Sequence, residues 1–332
     1  MKNLVHLKLL SIIFFTALLL NSCDLSGTDE NLELNTSIVD LIKAEPNLSS
    51  LLAALEANPS NNILTSLSNP GSYTLLAPTN EAFDEFLNGA QLTDLSASDL
   101  EQLLLNHILI DNVDEDAFEV ANDQDLFYTK TAAFIIRNNE RLFLNIYFNT
   151  SNNELKFNNL ATVIDGDKTA DNGIIHTVDK VIDLPTVVTF VQADERLSTL
   201  LGALTSDGQP DFATILSTPL ATSPAPFTVF APINSAFSAL ASVPTGDDLT
   251  QVLLHHVIPE ANIVSSQITN GLVSPATLEG DVLTFTVQNN IGFIEDGAGN
   301  NDAKLITGNL NIQAKNGVVH AIDKVLIPNT GN

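Results

Sequence analysis

The sequence predicts an α+β protein made of two tandem copies of one module, each a mostly antiparallel twisted sheet with a flanking helical layer. Four sequence blocks recur in the same order. Within each copy, helical periodicity comes first and strand alternation follows, which is the α+β order. The chain has 332 residues, 44% of them hydrophobic, enough for two packed cores.

The repeat fixes the domain count before any fold argument. Residues 38–55 match 187–204 at eight of eighteen positions, and 73–83 match 227–237 at six of eleven. Residues 103–109 match 252–258 at three of seven, and 172–182 match 316–326 at six of eleven. The offsets are 149, 154, 149 and 144, so connecting segments changed length while the blocks held, as loops and framework do in duplicated domains. A repeat this long is a whole domain rather than a solenoid unit. The junction falls at Leu184-Pro185, giving modules at 36–184 and 185–328. Each is expected to close its own interior.

Each block has a physical reading. Leu48, Leu51, Leu52 and Leu55, with their copies Leu197, Leu200, Leu201 and Leu204, form the i, i+3, i+4, i+7 stripe of an amphipathic helix. A β-rich run, Tyr73–Leu76 or Phe227–Phe230, is stopped by Pro78 or Pro232. Asn80 and Asn234 then occupy the expected N-cap of the next helix. The third block continues a helix starting near Ala97-Ser98 and ends in His107 or His256. Alternation predicts strands at 133–137, 142–148, 155–157, 282–287 and 292–295, separated by turn signals at Asn138-Asn139, Ser151-Asn152-Asn153 and Asn289-Asn290. The last block opens on Asn-Gly and runs out as a strand.

Together the strand ending in A-P-[T/I]-N-x-A-F, the mid-module L-L-x-H, and the terminal N-G-x-x-H-x-x-D-K-V resemble the fasciclin (FAS1) domain, over nearly all of 36–184 and 185–328. The resemblance implies a β-wedge of about seven strands with helices along one edge. It also implies roles in cell adhesion and contact with extracellular matrix. Its motif residues here are Asn80, His107, His176 and Asp179, and Asn234, His256, His320 and Asp323. In many animal members a tyrosine precedes the mid-module histidine, and that pair is linked to integrin adhesion. Asn106 and His255 stand there in this chain, so the property does not carry over to His107 or His256.

The amino terminus reads as an export signal. Lys2 and Lys8 precede the apolar run Leu9–Leu20, whose helical length of about 18 Å falls short of a bilayer core of about 30 Å. Leu20-Asn21-Ser22-Cys23 resembles a bacterial lipobox, which implies cleavage after residue 22 and diacylation of Cys23. Two acyl chains hold a protein on a membrane where one does not. Cys23 is the only cysteine, so no intramolecular disulfide forms. Residues 24–35 are polar and acidic, a flexible tether. Without residues 1–22 the chain carries 11 basic and 40 acidic residues, a surface that repels nucleic acid and anionic headgroups.

Catalytic constellations fail on inventory. There is no second thiol, no G-x-S-x-G elbow and no glycine-rich phosphate loop, so no catalytic or cofactor-binding residue is assigned and an enzyme is not expected. His176 shares a strand face with Ile174, Val178 and Ile182, and His320 with Val318, Ile322 and Leu326, which reads as buried, hydrogen-bonded imidazoles. His255-His256 point about 100° apart on a helix and do not chelate as an i, i+4 pair would. Asp165–Asp171 has the carboxylates of a calcium loop but Ala170 where the turn needs glycine, and reads as a solvated turn. Asp111–Asp125 reads as a hydrated acidic loop. No metal site is therefore assigned. The expected function is adhesion or contact with an extracellular protein or polysaccharide, by a lipid-anchored protein of the outer membrane or cell surface. A periplasmic or surface scaffold lipoprotein with a small-molecule or envelope-structural role is the alternative.

Overall fold

In the computed structural model, residues 36–329 are described apart from 61, 125, 152–153 and 297–301. The export signal, Cys23, the tether and the turn at Asn152-Asn153 lie outside the described residues. The first module holds helices α1 (Ile38–Ala44), α2 (Ser49–Ala57), α3 (Asn62–Ser68), α4 (Asn80–Leu87), α5 (Ala97–Asn106) and α6 (Glu115–Asp123). Its strands are β1 (Tyr73–Pro78), β2 (Ile108–Leu109), β3 (Tyr128–Arg137), β4 (Glu140–Ser151), β5 (Glu154–Phe157), β6 (Ala161–Ala170) and β7 (Gly173–Val178). The second module repeats the plan with α7 (Val187–Ala193), α8 (Ser198–Leu204), α9 (Phe212–Leu216), α10 (Asn234–Ser238) and α11 (Gly246–His255). Its strands are β8 (Phe227–Pro232), β9 (Val257–Ile258), β10 (Thr284–Gln288), β11 (Ile291–Glu295), β12 (Ala303–Lys304), β13 (Ile312–Ala314) and β14 (Gly317–Ile322).

In the first module the strands close in the order β1-β2-β3-β4-β5-β6-β7, with β7 returning to β1. That last pair is parallel and the others antiparallel. In the second module the same strands fall into two sheets, β13-β14-β8-β9 and β10-β11-β12, again with one parallel pair, β8 to β14. The hairpins β3–β4 and β10–β11 turn through Asn138-Asn139 and Asn289-Asn290, all four with positive φ between 49° and 63°. Asparagine tolerates that left-handed region, and its geometry matches the twist of the strands.

Each module has a helix-side core and a wedge-side core on opposite faces of its parallel pair. Ile38, Leu51, Leu55, Phe83 and Leu103 fill the first module's helical side, and Phe118, Ile146, Phe148 and Phe157 its wedge side. Phe190, Leu200, Phe212 and Leu253 repeat the helical side, and Phe230, Phe285 and Ile294 the wedge side. The strands β7 and β14 are therefore buried on both faces.

This double burial explains the Asn-Gly pairs that open the last block. A Cβ on Gly173 would sit 2.1 Å from the Tyr73 carbonyl oxygen, and one on Gly317 would sit 2.4 Å from that of Phe227. These contacts are backbone, in the parallel register itself, so relief means parting the strands. Gly317→Ala is expected to lower stability by about 2 kcal/mol. Urea denaturation checks this, and an unchanged midpoint would contradict it.

Several expectations need correction. Asn80 and Asn234 are not N-caps: the caps are Thr79, whose hydroxyl accepts from the Ala82 amide, and Ile233. The acidic run 111–125 is not simply a hydrated loop, because α6 forms inside it. Asp114 caps that helix, and Phe118, 1% exposed, packs edge-on against Phe148 and Phe157. Residues 165–170 are strand rather than turn. Register shifts there absorb Asp167 at φ 55°, and Lys168 pairs with both Asp165 and Glu45. The second module does not close its interior alone, since its helix-side core takes in Tyr147 of β4.

Candidate functional site

The motif residues do the same work in both modules. His107 follows α5, where its Nδ1 lies 2.8 Å from the Leu103 carbonyl and its Nε2 accepts from the Ile182 amide at 2.9 Å. His256 follows α11 with Nδ1 2.7 Å from the Val252 carbonyl and Nε2 accepting from Leu326 at 2.9 Å. Each ring thus satisfies an orphan carbonyl of a helix end and pins the segment by which the chain leaves the module. A neutral imidazole with Nδ1–H donating and Nε2 accepting meets both demands. Burial pushes both down to about 4, against upward pulls that begin with the Leu103 or Val252 carbonyl.

His176 and His320 sit in β7 and β14, fully buried. His176 Nε2 lies 2.9 Å from the Val113 carbonyl and Nδ1 accepts from the Asp167 amide at 3.3 Å. His320 repeats this with Ile263 at 2.8 Å and Asn311 at 3.4 Å, and burial drives it to about 4 as well. Asp179 accepts from the Thr162 amide at 2.7 Å and Asp323 from Lys304 at 2.8 Å. Asn80 Oδ1 accepts from the Ser50 amide at 2.8 Å and its Nδ2 donates to the Pro46 carbonyl at 3.0 Å, so it caps α2 rather than its own helix. Asn234 does the same for α8 through Thr199 and Glu195, both at 2.9 Å.

Asn172 and Asn316, the asparagines of the two Asn-Gly turn signals, are further hubs. Asn172 accepts from the Ile38 amide at 2.8 Å and donates to the Leu67 and Asn69 carbonyls. Asn316 binds Val187, Leu216 and Thr218 in the same way. All these side chains are committed to their own backbone, which leaves the module exteriors for contact with other molecules.

The two exteriors meet at a built seam. Tyr128 of β3 donates its hydroxyl to Asp194 Oδ2 at 2.8 Å. Arg196 holds the same carboxylate through Nε at 2.9 Å and Nη2 at 2.5 Å, while its guanidinium lies 4.2 Å over the Phe127 ring. Nearby, the Gln313 amide of β13 donates to Asn145 Oδ1 of β4 at 2.9 Å. Asp194 is 3% exposed, and a buried carboxylate needs such company. Burial raises Tyr128 well above the usual phenol range, with Asp194 adding to it, so its hydroxyl keeps the proton it donates. Burial likewise raises Tyr147 to about 12. The sequence carries a trace of the seam. Asp194 and Arg196 align with Glu45 and Asn47 at the 149 offset, and Phe127-Tyr128 has no aromatic counterpart in the second copy.

The fasciclin domain model matches residues 46–185 and again 195–328. The chain belongs to the fasciclin domain family, and carries the domain twice. Among curated proteins it is similar to transforming growth factor-beta-induced protein ig-h3 of Sus scrofa, 29% identical over 79% of this chain and 35% of that protein. It is also similar to human periostin, 29% identical over 78% of this chain and 29% of that protein. It thus spans about a third of the length of these animal relatives. A single-module match is Protein sll1483 of Synechocystis sp., 35% identical over 43% of this chain and 73% of that one. Among solved structures the FAS1 domain pair of the insect cell adhesion molecule fasciclin I aligns over 85% of this chain and 97% of that one, with 20% identity and a TM-score of 0.47. No helix among the described residues is long and apolar enough to cross a membrane.

Proposed function

We propose that the chain is exported, anchored by a diacylated Cys23, and presents its two fasciclin domains outside the cytoplasm as one binding unit for a protein or polysaccharide of the cell surface or matrix. The seam at Tyr128, Asp194 and Arg196 carries this reading, because it fixes the order and facing of two exteriors that would otherwise tumble independently. The inward commitment of the framework histidines favours binding over catalysis. The excess of acidic residues disfavours nucleic acid and anionic lipid as ligands.

Two experiments test it. Metabolic labelling with a radiolabelled fatty acid should mark the wild-type chain and leave Cys23→Ser unlabelled; label on both would end the anchor assignment. The purified chain on arrays of glycans and matrix proteins should bind a defined set of them. Resistance to whole-cell protease shaving, with no array ligand, would overturn the surface-contact reading in favour of a periplasmic scaffold.

A further inference from the structure

We infer that His255, Glu279 and Asp281 of the second module form a binding site for a divalent transition-metal ion of the zinc class. His255 is the last residue of α11 and is fully buried. One potential ligand atom from each of the three residues lies within 4.8 Å of the other two. His255 Nδ1 stands 3.1 Å from Glu279 Oε2. Donors in a tetrahedral zinc site with bonds of about 2.0–2.2 Å lie about 3.4 Å apart; the His255–Glu279 pair already stands near that spacing, while separations of up to 4.8 Å in the group must close towards it.

The carboxylates are held in place. The Asp281 amide donates to Glu279 Oε2 at 3.1 Å, and the Asn329 amide donates to Asp281 Oδ2 at 3.1 Å. Their turn is docked on the module, with the Leu278 amide donating to the Val257 carbonyl and the Thr277 amide to that of Asp281, both at 2.8 Å. Such supporting bonds orient the ligands of a metal site.

The Nδ1 edge of the imidazole is the one that faces the carboxylates. His255 Nε2 is buried with no hydrogen-bond partner among the described residues. If Nδ1 carries the proton, it serves Glu279 and strands the other lone pair; if Nε2 carries it, a buried donor is orphaned and Nδ1 faces a carboxylate. A cation between Nδ1 and the two carboxylates turns the Nδ1–carboxylate contact into coordination and offsets two like charges in a chain of net charge −27, with the Nε2–H on the far edge of the ring outside the site. One imidazole with two carboxylates suits zinc, whereas calcium takes oxygen ligands only. The first module has Asn106 at the matching position, whose amide serves the Ile182 and Asp183 carbonyls. The site therefore belongs to the second module alone, where a bound ion would tie the end of α11 to the segment carrying Asn329.

Calorimetric titration of the purified full-length chain with zinc sulfate, in detergent near neutral pH, tests this beside a calcium titration. One zinc ion per chain should bind and raise the melting temperature, with no comparable calcium heat. His255→Asn, which installs the first module's residue, and Asp281→Asn, which keeps an oxygen for the Asn329 amide, should each weaken zinc binding roughly tenfold or more. Absence of zinc binding, equal binding of calcium, or wild-type affinity in both variants would overturn the assignment.

Discussion

Replacing His256 with leucine is expected to lower the stability of the chain by about 3 kcal/mol at neutral pH, because two buried backbone groups lose their partners at about 1–3 kcal/mol each. The Leu326 amide and the Val252 carbonyl both depend on that ring, and Leu offers neither a donor nor an acceptor. His107→Leu should cost a similar amount, since Leu103 and Ile182 depend on its ring in the same geometry. Urea unfolding checks both. A loss below about 1 kcal/mol in either would show that the pin is incidental.

Acid is expected to destabilise the chain well before its carboxylates protonate. His107, His256 and His320 fall to about 4 in the folded state against 6.5 when unfolded. Between those values the unfolded chain binds protons that the folded chain refuses. Their stabilising contribution is therefore complete above pH 6.5 and is lost as pH falls from there towards 4. Each shift is worth about 3 kcal/mol, against a total stability of about 5–15 kcal/mol for a typical protein. Relief of repulsion among the 40 acidic residues starts only nearer pH 4, so the window from about pH 6.5 to 5 isolates the histidines. The melting temperature should fall across that window, and the deficit of His256→Leu relative to wild type should shrink. A flat or rising melting temperature there would contradict the burial of neutral rings.

Much of the module was legible because its signals are local. Leucine spacing located α2 and α8, α5 begins at Ala97 where the sequence places its start, and paired asparagines marked two hairpins. What was missed acts across distance or was hidden by composition. Asn80 looked like a cap for its own helix, yet its side chain reaches a segment 30 residues earlier. In Asp111–Asp125, charge concealed the single buried phenylalanine that anchors α6. The partners of the Tyr128–Asp194 bond are 66 residues apart and belong to different copies, so no periodicity within a module announces it. Chain spacing sets His255 beside His256, while its partner Glu279 lies 24 residues on.

Two copies of one folding unit are fastened into a single body through Tyr147, Tyr128, Asp194 and Arg196. Differential scanning calorimetry of the full chain tests it most directly. The account predicts one cooperative transition whose calorimetric and van't Hoff enthalpies agree. Two separate transitions, each with the enthalpy of one module, would contradict it.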